Sequence, residues 1–308
     1  MTTTDTTDIN LDVIHPGSIV VGLDDSEQGQ EALTWAARQA VLEGRRLAVV
    51  HAVEPMTPTT RTMMLAGGVD PGGLEAQMLR EARAQAATTA TSAADLHPGL
   101  EVVDVVRMGD PRDLLLAAAH RASLLVVGSR GRGPLRSLLL GSVSVAVAKH
   151  AVCPVVVLRP ERPEVVRRGV LVGADGTERS LPALEFAYRH AATRGLPLTV
   201  MHCFWDVLAA TSPHHVVAED RTVEDLRVLL SQSVAGMSER YPDVEVHLEL
   251  ARGLVDEALA TGAEEMDLVV VGWHDADPVT SFLYGSVAPS VLERARCAVA
   301  IIPDETRR

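Results

Sequence analysis

The sequence predicts an α/β fold built twice, and three observations predict it. Short apolar runs of Val, Leu and Ile alternate with Ala-rich stretches at helical spacing, the pattern of parallel strands joined by helical crossovers. That pattern runs through once and then begins again. Gly173-Ala174-Asp175-Gly176-Thr177 echoes Gly22-Leu23-Asp24-Asp25-Ser26 at an offset of 151 residues, and Gly285-Ser286-Val287 repeats Gly141-Ser142-Val143 at an offset of 144. Composition agrees. Of 308 residues 47% are apolar, but Phe, Trp and Tyr together make only 3%, so the cores must be built from Ala, Val and Leu. Such cores suit buried parallel strands covered by small-faced helices.

Two copies of one unit of roughly 140 residues follow from the repeat. Each is expected to be a doubly wound, Rossmann-like domain, a five-stranded parallel sheet flanked by helices. The first domain spans residues 16–160 and the second 169–304, with 161–168 as a charged linker and 1–15 as a flexible N-terminus. Ser18 to Leu23 is the first strand. A helix follows to Glu43, with Ala32, Leu33, Ala36, Ala37, Ala40 and Val41 at helical spacing. Asp25 or Ser26 is its N-cap and Gly44 its stop. Leu47 to Val53 is the second strand. Residues 54–73 hold three prolines and four glycines with little periodicity. They read as a long loop, either a lid over a ligand or a plain surface loop. Leu74 to Leu96 is an Ala-rich helix and Leu100 to Val106 the third strand. Asp110-Pro111 opens a helix to Arg121, with proline at a natural first-turn position. Leu124 to Val127 is the fourth strand, a helix runs from Gly141 to His150, and Pro154 to Leu158 is the fifth strand. In the second copy Val170 to Ala174, Leu268 to Val271 and Ala298 to Ile302 are the first, fourth and last strands.

The stretch after the fourth strand carries chemistry. Gly128, Ser129, Arg130, Gly131, Arg132 and Gly133 make a loop of glycine and arginine, and Gly141-Ser142-Val143 opens the next helix. Glycines let backbone N–H groups approach an anion, and a helix N-terminus adds its positive dipole end. Ser142 supplies a hydroxyl, and the arginines supply charge or remain solvated. Glycines alone would read as a turn. The spacing G-x2-G-x9-G-[ST], met at Gly128, Gly131, Gly141 and Ser142 in the order strand, loop, helix, argues for a phosphate cradle. No lysine follows the glycines as in a Walker A loop, and Arg136 breaks the dinucleotide fingerprint begun at Gly131.

This stretch resembles the ATP-binding motif of the universal stress protein family, and the resemblance covers nearly the whole chain as two tandem domains. It implies the strand order 3-2-1-4-5, which makes the first and fourth strands neighbours across a crevice. It implies ATP as ligand, with Mg2+ held through its phosphates. Asp24, with Gly22 before it, would lie by adenosine and ribose or help hold the metal. A carboxylate there also suits a cap for the next helix, and the two roles are compatible. Val53, with His51, would border adenine. Gly128 to Gly133 would carry the phosphates, and Gly141, Ser142 and Val143 would complete the site. The second copy keeps Gly173, Asp175, Gly272, Gly285, Ser286 and Val287. It has Asp275 where the second motif glycine belongs, and Asp277 beyond it. Carboxylates facing a triphosphate disfavour ATP there unless a divalent cation bridges. Trp273 would stack on a base or fill space at a domain contact.

Other features exclude function classes. A net charge of −13 argues against nonspecific nucleic-acid binding. Three cysteines, an odd and sparse set without CxxC, fit a reducing cytosol and core positions rather than a disulfide framework. No signal peptide and no apolar run of about 18 residues appear, so a cytoplasmic protein without a membrane span is expected. His214-His215 reads as a bystander pair in a polar loop. Three functions remain. The first is an ATP-binding stress-response regulator that is not an enzyme, since no residue stands out as a base for an attacking water. The second is a slow ATP-hydrolysing or phosphotransfer enzyme using Asp24 and a metal. The third is a nucleotide-free dimerisation module. The last strands are short apolar edges, so the two domains are expected to form an intramolecular pseudo-dimer, and chains a homodimer. A regulatory protein partner is implied but not identified.

Overall fold

A computed structural model describes residues 11–24, 26–129, 140–160, 164–204, 219–273 and 287–304. The chain divides into two compact units, Met1–Val155 and Val156–Arg308. The first opens with β1 (Ser18–Gly22), α1 (Glu27–Glu43), β2 (Leu47–Val53), α2 (Pro58–Ala66) and α3 (Pro71–Leu96). It continues through β3 (Val102–Met108), α4 (Pro111–Ala119), β4 (Ala122–Gly128) and α5 (Ser142–His150) to the start of β5 (Val155–Leu158). β1 pairs in parallel with both β2 and β4, and β2 with β3. The order is therefore β3-β2-β1-β4, and the Leu125 N–H donates to Pro154 O at 2.9 Å as the chain enters β5 beside β4.

The second unit repeats the plan. It comprises β6 (Val170–Gly173), a 3-10 turn (Glu178–Ser180), α6 (Leu181–Arg194), β7 (Leu198–Phe204) and α7 (Glu219–Arg240). β8 (Val246–Arg252), α8 (Val255–Gly262), β9 (Leu268–Trp273), α9 (Val287–Arg294) and β10 (Ala298–Pro303) follow. Its parallel order is β8-β7-β6-β9-β10. In each unit the order reverses at the first strand, where a doubly wound sheet opens a crevice beyond its strand ends.

Local chemistry explains the elements. Ile19 to Val21 and Leu124 to Val127 are wholly buried, so these strands show no polar alternation. α1 lays Ala32, Leu33, Ala36, Ala37 and Ala40 on the sheet, a small-residue stripe that permits close approach. Ser26 caps it by accepting from the Gly29 N–H, and Gly44 ends it in the left-handed conformation at φ 60°. Gly195 ends α6 the same way at φ 64°.

Two expectations are corrected. Residues 54–73 are not a plain loop. α2 forms because Thr57 caps the helix and Pro58 takes its first turn, and α3 begins at Pro71 with Asp70 as its cap. No residue of α2 is buried, which is why hydrophobic periodicity gave no sign of it. The N-terminus is not loose as far as residue 15. Leu11 and Ile14 are buried, and Arg121 Nε donates to Ile14 O at 2.6 Å.

The cysteines are free thiols, with Cys153 and Cys297 in the core. Burial pushes Cys297 up to about 12 and Cys203 up to about 11, which leaves little thiolate at neutral pH. Burial also pushes His190 down to about 3, where its ring stacks on Phe186. The unfolded chain titrates that ring near 6.5, so below this pH the unfolded state binds the extra proton. Stability from His190 is complete above 6.5 and falls as pH drops, by at most about 2 kcal/mol at pH 5. The unfolding midpoint should therefore fall between pH 7 and pH 5 by several degrees, and less steeply in His190→Gln. Parallel slopes for the two proteins would contradict this role.

Candidate functional site

The site is assembled from the ends of β1 and β4 and the first turns of α1 and α5. After β1, Asp24 turns the chain. Its Oδ1 accepts from the Ser26 N–H at 3.2 Å and from the Ser26 hydroxyl. Ser26 in turn accepts from the Gly29 N–H at 3.0 Å. Asp24 thus braces the cap of α1, and Ser26 is the cap itself.

The first turn of α1 lies across both strand ends. A Cβ on Gly29 would stand 2.5 Å from Asp24 O and 2.6 Å from Asp24 Oδ1. A Cβ on Gly128 would stand 3.0 Å from Gln28 Cβ and 3.1 Å from Gln28 O. Both glycines are fixed by backbone approach. Gly29 was not singled out from the sequence, because a glycine early in a helix carries no through-space signal.

β4 ends at Gly128, and Ser129 follows it fully buried. Its Oγ has no hydrogen-bond partner among the described residues. Its carbonyl accepts from the Gly141 N–H at 2.7 Å and from Ser144 Oγ at 3.4 Å. Residues separated by twelve positions are thereby joined, and Gly128-Ser129 meets Gly141-Ser142. Gly141 is the N-cap of α5 and offers no side-chain cap. The first N–H groups of α5 have no intrahelical partner, with Ser142 exposed and Val143 half-buried beside them. A buried hydroxyl without a partner and an uncapped helix start fit an anion with several oxygens. Arg130, Gly131, Arg132 and Gly133 lie outside the described residues.

Three predicted residues are engaged in packing. The space at Gly22 is taken by Leu115 and Val127, whose methyl carbons would lie 3.0 to 3.2 Å from a Cβ. Gly173 meets Leu259 in the same way at 3.0 Å. Both are close-approach glycines between a strand end and a helix. The Val53 side chain packs with Ala86 and Val106, and its carbonyl accepts from the Gly109 N–H at 3.0 Å.

The second unit keeps the turn and alters it. Asp175 Oδ1 accepts from the Thr177 N–H at 2.8 Å, the Thr177 hydroxyl at 2.7 Å and the Ser180 hydroxyl at 2.6 Å. Ser180 stands where the repeat places Gly29, and here the chain tightens into the 3-10 turn before α6. Gly272 opens on a cleft of about 190 Å³ that Glu178, Arg179 and Asp304 also line. Trp273 is buried at the end of β9, and Val287 opens α9. Asp275, Asp277, Gly285, Ser286 and His214-His215 lie outside the described residues. Among the described residues no group of three or more His, Cys, Asp or Glu is arranged to hold a metal ion, and no helix is long and apolar enough to cross a membrane.

The model of the universal stress protein family matches the chain twice, over residues 17–159 and 167–303. A universal stress protein of Mycolicibacterium smegmatis is 33% identical over 288 residues, covering 92% of this chain and 96% of that protein. One from Mycobacterium tuberculosis is 33% identical over 294 residues, covering 92% and 95%. The crystal structure of a universal stress protein from Archaeoglobus fulgidus aligns with a TM-score of 0.66 at 21% identity, over 93% of this chain and 98% of that one.

Proposed function

Because this chain belongs to the universal stress protein family, we propose that it is a cytoplasmic ATP-binding regulator whose working site lies in the first unit. The observation that carries the reading is the junction of Ser129 with Gly141 at 2.7 Å. It sets a helix start without a side-chain cap beside a buried hydroxyl that has no partner among the described residues, at the two ends of the G-x2-G-x9-G-S spacing. Backbone donors of Gly128 to Gly133 and of the first turn of α5 would hold the phosphates, with Ser142 and the loop arginines at their edge. Asp24 would face the ribose or, through Mg2+, the phosphates. When bound, the metal would supply charge neutralisation between phosphate oxygens.

Turnover is expected to be slow. Asp24 Oδ1 is committed to Ser26 and braces the α1 cap, which leaves only Oδ2 of that acid to face a ligand, and no lysine stands between Gly128 and Ser142 as in a Walker A loop. Occupancy by ATP, rather than its consumption, would then set partner choice, with a homodimer and a regulatory protein as the partners to seek. The second unit would be the weaker nucleotide site, because Asp175 Oδ1 already accepts three hydrogen bonds from its own turn and Asp275 interrupts the glycine spacing.

Calorimetric titration of Mg-ATP into the nucleotide-free full chain tests this. Saturable binding without release of phosphate over an hour is the expected result. Absence of any binding heat, with no ATP retained on gel filtration, would remove the nucleotide reading.

A further inference from the structure

The start of α3 stands beyond the ends of the strands. Val53, the last residue of β2, packs with Ala86 and Val106, and Leu79 and Ala82 of α3 pack against the same cluster. α3 begins further out, at Pro71. At about 1.5 Å per residue, the stretch from Pro71 to Leu79 rises about 12 Å past that cluster. β2 lies beside β1, with Val50 opposite Gly22, so this projection flanks the end of β1, where the chain turns at Asp24. α2 precedes it, capped by Thr57 and joined to α3 through Gly68, which is left-handed at φ 76°.

One carboxylate ties α2 to the projection. Glu75 Oε1 accepts from the Met56 N–H at 3.1 Å, and Glu75 Oε2 accepts from Arg61 Nη1. Its two oxygens hold two points, the residue before the Thr57 cap and a side chain from the start of α2. Thr57 bonds Thr60 at 2.8 Å and Thr62 donates to Pro58 O at 2.9 Å, contacts that stay within the segment. No residue of α2 is buried, and Met63 and Leu65 are exposed. Apolar burial therefore does little to fix α2, and the charge-assisted bonds of the half-buried Glu75 do much.

We propose that Glu75 latches α2 as a gate beside the crevice, and that this gate sets how fast nucleotide enters and leaves the first unit. The gate's ligand rests on the nucleotide reading, whereas the latch does not. With the latch made, α2 is fixed on the projecting turns of α3. With it broken, α2 is carried by its end links, residues 54–57 and 67–70, and swings clear. A gate that touches no ligand atom changes entry and exit by the same factor, so exchange quickens while affinity holds.

The test follows wild type, Glu75→Ala, Arg61→Ala and the double variant as full chains, at a temperature where all are folded. Amide hydrogen exchange of residues 57–66, read without nucleotide, should quicken at least about tenfold in Glu75→Ala. Unchanged exchange would overturn the latch. Stopped-flow binding of N-methylanthraniloyl-ATP with Mg2+ reads the gate. Association and dissociation rates should both rise about fivefold in Glu75→Ala, with Kd within about twofold of wild type. Arg61→Ala should give a smaller rise and add nothing in the Glu75→Ala background, because both substitutions break one contact. Unchanged rates, a rise in dissociation alone, or additive effects of the two substitutions would overturn the gate. If wild type binds no nucleotide, the gate falls with the nucleotide reading, and exchange of residues 57–66 still decides the latch.

Discussion

Gly29→Ala is expected to destabilise the first unit by about 1–3 kcal/mol and to weaken ATP binding at least about tenfold. The added Cβ would lie 2.5 Å from Asp24 O, 2.6 Å from its Oδ1 and 3.2 Å from its N. Two of those three atoms are backbone, so no side-chain rotation relieves the clash. α1 cannot retreat, because Ala32, Ala36 and Ala40 are fully buried behind it. The relief left is to push Asp24 away from Ser26. The second unit shows the alternative solution. With Ser180 in the corresponding place, the chain forms a 3-10 turn over Glu178–Ser180, and the Ser180 hydroxyl bonds Asp175 Oδ1. Ser180→Gly should therefore fold and cost only about 1 kcal/mol. Urea unfolding and ATP titration of both variants check the pair. A Gly29→Ala protein with wild-type stability and affinity would show that the turn has slack that these distances deny.

Asp24→Ala and Asp24→Asn should separate the structural from the ligand role of that residue. Asparagine retains an oxygen to accept from the Ser26 N–H and hydroxyl, so the α1 cap should survive, with stability within about 0.5 kcal/mol of wild type. It removes the charge, so ATP affinity should drop about tenfold and lose its dependence on Mg2+. Alanine removes both and should lose affinity and about 1 kcal/mol of stability together. If Asp24→Asn binds Mg-ATP as wild type does, the carboxylate is a cap brace alone.

The parts of the site legible in the sequence are those encoded by spacing along the chain. Gly128, Gly141 and Ser142 stand at fixed intervals, and the structure joins them through Ser129 O and the Gly141 N–H. The repeat was legible for the same reason, since an offset needs no geometry. Contacts made across the fold were not. Gly29 matters because α1 crosses Asp24, and that fact is not written in local pattern. Gly22 and Val53 show the same limit, because their packing partners come from distant elements. Both lie in the expected stretch, but Leu115 and Val127 fill the space at one, and Ala86, Val106 and Gly109 engage the other. α2 stayed hidden because its nine residues bury nothing, leaving only the Thr57-Pro58 cap signal to announce it.

The most direct measurement is the adenine nucleotide carried by the purified full chain, released by denaturation and quantified for wild type and for Gly131→Asp. That substitution copies Asp275 of the second unit into the first. About one nucleotide per wild-type chain, lost in Gly131→Asp, is the result expected of a single working site in the first unit. Wild-type and variant chains carrying the same amount, or neither carrying any and neither taking up Mg-ATP, would contradict it.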